Sequence, residues 1–232
     1  METSKGFEKR IKKDMSKVPE LGEFCDRCLR TERYNGNVVL MVVDAAFVSI
    51  GVNYFNVIVP AVLRFGELIR SKVSNLSDFL KLPDEILFSV WKNRRSWRVA
   101  KGIAECLSGI SEDDRTAIRT WASDSTLEDW EDDIIGKIKG VGINTYQYLR
   151  MMGGIDTVMP DKIVKRYFFG LAEDLGLIED VGSIKDDTSF IRWVEKLARQ
   201  INHKAIELCW LTWFVQYDDR RLNSYRELMR KI

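Results

Sequence analysis

The sequence predicts an all-α protein, and three observations support that prediction. Apolar residues between Phe190 and Ile201 recur at helical spacing, with charged residues between them. The stretch Ala205–Val215 is apolar almost all round, as expected of a helix buried in a core. Runs that alternate with the period of two typical of a strand are hard to find. The composition, 45% hydrophobic and 31% charged over 232 residues, excludes a disordered chain and suffices for one large domain or two small ones.

In chain order, the first predicted element is a pair of buried helices within Val38–Leu63. This apolar stretch is longer than the ~20 residues that span a bilayer. It contains Asp44 and Pro60, however, which favour a buried helix pair over a membrane span. The charged segment Met1–Lys17 lacks the apolar core of a signal peptide, so we expect a cytoplasmic protein.

Capping signals set the next predicted boundaries. The pattern Ser125–Glu128 fits a capping box and predicts that a helix begins there. The pair Gly153 and Gly154 is typical of a helix end, and Pro160 followed by Asp161 is typical of a helix start.

Charge is segregated along the chain, although the formal net charge is only +1. The segment Trp91–Lys101 has five cations and no acid, and residues 134–170 have six cations against two acids. Residues 111–133 carry nine acids and two arginines. A neutral protein with such segregation can bind a polyanion on one face, although two solvated helix faces would give the same pattern.

Residues 134–152 predict a short helix, the turn Lys139–Gly142 and a second helix, Ile143–Met152. Two glycines in the turn allow the backbone to approach a ligand closely. The turn ends at a helix N-terminus, where free N–H groups and the helix dipole favour an anion such as a DNA phosphate. A plain helical hairpin with a glycine turn is the alternative.

The wider pattern resembles the helix-hairpin-helix DNA glycosylase superfamily, and is most similar to its alkylated-purine branch. The motif comprises an apolar residue, the Gly-Val-Gly turn, a threonine, and then an aspartate that opens a helix with an arginine. The matching residues are Ile138, Gly140, Val141, Gly142, Thr145, Asp161, Val164 and Arg166. Weaker similarity extends over Val38–Val215, with Trp97–Leu107 resembling the helix before the hairpin.

The resemblance implies two all-α subdomains with a DNA-binding cleft between them. The expected division is residues 38–150, with the hairpin, and residues 1–37 with 151–232. It implies that Asp161 is catalytic, stabilising positive charge on the sugar and orienting water. A structural N-cap is the alternative role for this aspartate.

Two departures from the family narrow the predicted activity. Bifunctional members have a Schiff-base lysine where this chain has Asn144, so the resemblance implies a monofunctional enzyme without β-lyase activity. Only Cys209 follows Arg166, so no four-cysteine iron–sulfur cluster is expected. We expect no cofactor; the resemblance allows a monovalent cation at the hairpin backbone.

The spacing of Cys25 and Cys28 is zinc-like, but the other candidate ligands are scattered, so no metal site made by side chains is expected. His203 is expected to be a cap or surface residue. Aromatic rings hold a flipped base by stacking. The candidates for the base pocket or the wedge are Asn53, Tyr54, Trp97 and Trp213.

The leading prediction is a monofunctional DNA base-excision glycosylase acting on double-stranded DNA as a monomer, located with DNA in the cytoplasm, nucleoid or nucleus. The alternative is a non-catalytic helix-hairpin-helix DNA-binding protein that has lost the chemistry. A helical protein-interaction domain is a third interpretation. The predicted DNA-binding residues are Arg94, Arg95, Lys137, Lys139, Gly140, Val141, Gly142, Asn144, Thr145, Lys162 and Arg166.

Overall fold

Helices connected by turns and loops form the whole fold in the computed structural model, which describes residues 2–177, 181–182 and 184–232. No strand occurs among these residues, which confirms the predicted all-α class. The helices are α1 (Glu2–Met15), α2 (Leu21–Leu29), α3 (Val38–Val48), α4 (Val59–Ile69), α5 (Leu76–Leu80), α6 (Asp84–Val90), α7 (Arg94–Ser108), α8 (Asp114–Asp124), α9 (Ile143–Met152), α10 (Lys162–Asp174), α11 (Asp187–Gln200), α12 (Ala205–Val215) and α13 (Asp219–Met229).

The chain divides into two compact units. The terminal unit comprises Met1–Arg27 and Asp156–Glu227, and the central unit comprises Cys28–Ile155 and Leu228–Ile232. Each unit has its own buried apolar residues and is described separately below.

Helix α3 forms the middle of the central unit. All its residues from Val38 to Phe47 are buried, and it packs against α7, α9 and α4. Helix α4 buries Val59, Val62 and Phe65, so the predicted buried helix pair is confirmed. In the described part of the chain, no helix has the length and apolarity needed to cross a membrane.

Helix α12 forms the middle of the terminal unit, where α1, α10 and α11 pack against it. Its residues are buried almost all round, as predicted from its composition. Helix α10 begins after Asp161, whose carboxylate caps it, so the predicted helix start is also confirmed.

The helix predicted to begin at Ser125–Glu128 is not formed, and that prediction was wrong. Ser125 instead ends α8, since its backbone N–H donates to the carbonyl of Trp121. The Thr126 hydroxyl then accepts from the N–H of Asp129 and closes a turn. Polar side chains that bond nearby backbone groups compete with a helix in this segment.

The first helix of the predicted hairpin, at residues 134–138, is replaced by hydrogen-bonded turns, so this prediction was wrong as well. The Asp133 carboxylate accepts from the N–H of Ile135 at 2.8 Å and organises the turns. A Cβ on Gly136 would lie 1.7 Å from the carbonyl oxygen of Trp130, so only glycine fits there. The second helix, α9, begins after Gly142 and ends at Gly153 as predicted.

Candidate functional site

Asp161 lies at the N-terminus of α10 with its carboxylate held by three donors. Its Oδ1 accepts from the backbone N–H of Ile163 at 2.7 Å and of Val164 at 2.9 Å. Its Oδ2 accepts from the indole Nε1–H of Trp213 at 2.9 Å. A carboxylate has about four lone-pair sites, so one acceptor position remains for another donor such as water.

The environment of Asp161 has opposing effects on its ionisation. Burial raises the pKa of the carboxyl above its usual value, because the charged form is desolvated. The N–H groups of Val164 and Ile163, the Trp213 indole and the Arg166 charge act on this pKa in the opposite direction. The residue is only partly covered, so it combines a desolvated carboxyl with access to solvent.

Trp213, a predicted base-pocket residue, is thus hydrogen-bonded to the predicted catalytic aspartate. The two belong to different elements of the terminal unit, and Trp213 is half-buried. Its indole N–H points at Asp161 while part of the residue stays accessible. The hydrogen bond thus places an aromatic side chain beside a carboxylate that can stabilise positive charge.

Lys162 and Arg166 follow Asp161 on α10 and are both exposed. The Arg166 Nη2 lies 3.5 Å from Oε1 of Gln216, a long contact that leaves most of its donors for a ligand. No carboxylate pairs with it among the ion pairs of the described residues.

The predicted anion-binding turn lies in the central unit, immediately before α9. Gly140 has φ +110, a conformation that favours glycine, and a Cβ there would lie 3.0 Å from Cγ2 of Val99. Gly142 is exposed, and a Cβ there would meet nothing within 4 Å. Gly142 is the N-cap of α9 and provides no side-chain cap, so the first N–H groups of α9 have no side-chain acceptor from this position.

Helix α7 packs against this turn and brings the second basic stretch to it. The Arg95 Nη2 lies 3.5 Å from the Gly140 carbonyl oxygen. Arg94 is exposed, with its guanidinium 5.4 Å from the Phe88 ring centroid. Lys139 is exposed on the turn, and Lys137 is exposed just before it, with its Nζ 3.6 Å from Oδ1 of the exposed Asp132. Arg95 and the turn therefore form a local basic surface.

Asn144 and Thr145 lie in the first turn of α9. Thr145 is buried, and Asn144 is half-buried. The buried Oδ1 of Asn144 accepts no hydrogen bond from the part of the chain that the structure describes. Asn144 has an amide in place of an amine, so its side chain cannot form an imine with a sugar. The carbonyl oxygens of the turn are of the type that binds a monovalent cation, although Arg95 already approaches that of Gly140.

Two of the predicted stacking residues lie in the helical core. Trp97 is 3% exposed and packs against the Phe47 and Phe65 rings. Tyr54 is 1% exposed, and its hydroxyl donates to Asp44 at 3.0 Å. Other side chains enclose both rings, which leaves neither an open face on which to stack a base. Asn53 is exposed and accepts from the N–H of Asn56.

The central unit contains a buried polar cluster, for which the sequence offered one partial signal, namely an aspartate within an apolar helix. Oδ2 of Asp44 accepts from the hydroxyls of Tyr34, Tyr54 and Tyr148 at 2.9, 3.0 and 2.7 Å. Arg33 Nη2 lies 3.6 Å from the same oxygen. Burial raises the pKa of Asp44, and the Arg33 charge opposes that shift. The spacing of residues along the chain did not predict that these tyrosines and Arg33 would contact Asp44.

Cys25 and Cys28 are both buried free thiols. The described residues contain no cluster of three or more histidine, cysteine or acidic side chains suited to a metal ion. His203 lies 3.2 Å from Glu207 at the start of α12.

Comparison with known proteins found no matching family model, no matching curated protein and no matching solved structure.

Proposed function

We propose that this protein is a monofunctional DNA glycosylase that hydrolyses the N-glycosidic bond of a damaged base. The observation that carries the proposal is the hydrogen bond between Asp161 and Trp213. It joins a partly buried carboxylate, able to stabilise positive charge, to an accessible aromatic side chain. The sequence motif that resembles the helix-hairpin-helix glycosylases supports the same assignment through its glycine turn, the second helix α9 and Asp161, while turns replace its first helix.

In the proposed reaction, the bond between the sugar C1′ and the base nitrogen breaks, and its electron pair leaves with the base. The sugar becomes positively charged, and the negative charge of Asp161 stabilises it. A water molecule held at the remaining lone pair of Asp161 adds its oxygen to C1′. Its proton passes to the carboxylate or solvent, and the released base takes a proton from solvent.

The turn before α9 has a separate role in this proposal. A phosphate of the DNA backbone accepts hydrogen bonds from the first N–H groups of α9. The open space at Gly142 admits the phosphate, and Arg95, Lys137 and Lys139 provide positive charge. Such contacts position the duplex without selecting a sequence. No step depends on a cation at the turn.

A non-catalytic DNA-binding protein is the second candidate, and the N-cap geometry of Asp161 favours it. Two of the three donors to Asp161 are the backbone groups that any N-cap aspartate satisfies. That role alone would explain the residue without any chemistry.

The deciding experiment measures base release from a panel of duplex oligonucleotides with different lesions, by alkaline cleavage of the abasic product. Asp161→Asn keeps one oxygen to cap α10, but it removes the charge and the acceptor of the Trp213 N–H. We expect it to lower the rate about a hundred- to thousandfold, by analogy with the loss of one oxyanion-hole donor. The matched control is Asp186→Asn, which makes the same change at the exposed N-cap of α11 and should leave the rate unchanged.

The same reactions test the absence of lyase chemistry. Because Asn144 cannot form an imine, borohydride should trap no covalent complex, and the abasic strand should stay intact before alkali. A trapped complex would contradict the monofunctional assignment, and Lys162 would then be the first candidate for the amine that forms the imine. Duplex binding without base release from any lesion would instead favour the non-catalytic candidate.

A further inference from the structure

The terminal unit contains an open cavity of about 190 Å³ next to α10 and α12. Two residues of α1, together with Lys17 just after it, line one side. Residues three and four apart on α10 line another side, and two residues of α12 with its C-cap Gln216 line the rest, so each helix presents one face to the cavity. The polar and charged lining residues used below are Arg10, Asp14, Lys17, Arg166, Tyr167 and Gln216.

Positive charge exceeds negative charge at this cavity. Three of its lining residues are cations, Arg10, Lys17 and Arg166, and Asp14 is the single carboxylate among the lining residues. Arg10 also lies 3.8 Å from Asp174, which is exposed. The exposed ion pair contributes little, because water screens it.

Asp14 lies in the wall of the cavity, where three neighbouring side chains hold its carboxylate in place. Its side chain is 4% exposed, with Oδ1 2.8 Å from Lys17 Nζ and Oδ2 3.2 Å from Arg10 Nε. The Tyr167 hydroxyl donates to the same Oδ2 at 2.9 Å. One buried carboxylate thus orients two cations. A guanidinium has five N–H donors and an ammonium has three, so both cations keep donors beyond their contacts with Asp14 and Asp174. Arg166, on the opposite helix, faces the same space, and its side-chain contact is with the neutral amide of Gln216.

We propose that this cavity binds a phosphate group. Two guanidinium groups and an ammonium around one small cavity match the negative charge and several acceptor oxygens of phosphate. The group belongs either to a nucleic-acid backbone or to a free phosphate compound; the first source rests on the proposed function. Arg166 follows Asp161 by five residues, about 7.5 Å along the helix axis, so a bound backbone phosphate would lie near the residue proposed to act on the sugar.

The test compares the double variant Arg10→Gln/Lys17→Gln with Lys9→Gln/Lys13→Gln. The control pair is exposed on the same helix, outside the cavity lining, and changes the net charge equally. Calorimetric titration with inorganic phosphate should show about a tenfold loss of affinity in the cavity variant only. Titration with a short duplex over several salt concentrations shows whether the bound phosphate belongs to a nucleic-acid backbone. If one backbone phosphate no longer binds at this site, the slope of log K against log salt falls by about 0.9.

Loss of both phosphate and duplex binding assigns the cavity to nucleic acid, and loss of phosphate binding alone assigns it to a free phosphate compound. Equal binding of both ligands by the cavity variant and its control overturns the proposal. If the double variant does not fold, Gln216→Glu places a carboxylate at the cavity beside Arg166, with the exposed Gln200→Glu as control. Because phosphate binding is measured without any lesion, a lack of base release does not affect this result.

Discussion

At the scale of single residues, Asp161 combines desolvation with well-placed hydrogen-bond donors. Desolvation raises its pKa, and three donors with the Arg166 charge restrain the rise. A carboxylate whose charge is disfavoured by its surroundings interacts strongly with a positive charge that develops beside it, because water does not screen it well. This property follows from the burial of the Asp161 carboxyl, against which its three hydrogen-bond donors act.

The pH dependence of base release should report this raised pKa. The proposed reaction needs ionised Asp161, so the rate should fall as pH drops through a value above the ordinary aspartate pKa of 3.8. Since the folded pKa lies above the unfolded one, the ionised group destabilises the fold at neutral pH. Asp161→Asn removes this charge, but its amide NH₂ cannot accept the Trp213 N–H, so we expect little change in melting temperature. Rates for parent and Asp186→Asn across a pH range from about 4 to 8 check the prediction; an acid limb that survives in Asp161→Asn would contradict it.

A second residue-scale prediction concerns the hydroxyl of Tyr148, which donates to buried Asp44 at 2.7 Å. Tyr148→Phe removes a hydrogen bond to a buried charged group and should lower the free energy of unfolding by about 1.5–3 kcal/mol. Tyr146→Phe is the control on the same helix, because its hydroxyl donates to the neutral carbonyl of Thr126 at 3.2 Å. Removing that bond should cost about 0.5–1.5 kcal/mol. Urea unfolding of both variants measures the difference, and equal losses of stability would show that Asp44 confers no extra strength.

Single residues also differ in how well spacing along the chain predicts their role. Pro160 followed by Asp161 predicted the capped start of α10, because capping depends on neighbours within three residues. The bond from Trp213 to Asp161 joins residues 52 apart and depends on how α12 packs against α10. The sequence offered Trp213 only as one of several aromatic candidates. The pairing of Arg10 and Lys17 around Asp14 was not predicted at all.

At the scale of elements, long helices with strong periodicity were predictable and the short segment before the hairpin turn was not. Helix α11 followed from apolar residues at helical spacing, and α12 followed from a stretch that is apolar almost all round. In residues 125–138, backbone N–H groups donate to the side chains of Thr126 and Asp133 and form turns in place of a helix. Side chains that compete for local N–H groups decided this outcome, and the close approach of Gly136 to Trp130 depends on tertiary packing.

The turn before α9 is open to a direct test by substitution. Gly142→Glu should weaken duplex binding more than Gly142→Gln, because both fill the open space and only glutamate repels phosphate. No atom lies within 4 Å of a Cβ at this position, so both variants should keep the helical circular dichroism of the parent. Thr120→Glu, on the exposed side of α8, controls for the added charge. Parent-like affinity in both Gly142 variants would make the turn merely structural.

At the scale of the whole molecule, near-neutral charge and segregated charge have different consequences. A formal net charge of +1 gives no general attraction to a polyanion. Any binding of DNA must then come from local groups of cations, such as Arg95 beside the Gly140 turn. The same segregation explains why composition alone could not decide between nucleic-acid binding and a pair of solvated helix faces.

The salt dependence of duplex binding tests this molecule-wide charge distribution. Lys137→Gln/Lys139→Gln and Arg94→Gln/Arg95→Gln each remove two exposed cations near the turn. For every phosphate that is no longer neutralised, the slope of log K against log salt should fall by about 0.9, and affinity should fall alike for all sequences because phosphate carries no base information. The control, Arg70→Gln/Lys72→Gln, removes the same charge from another exposed part of the central unit. If all three variants lose duplex affinity to the same extent, the attraction depends on total charge rather than on this surface, and the assignment of the turn to DNA fails. The assignment fails equally if the two variants near the turn bind duplex like the parent.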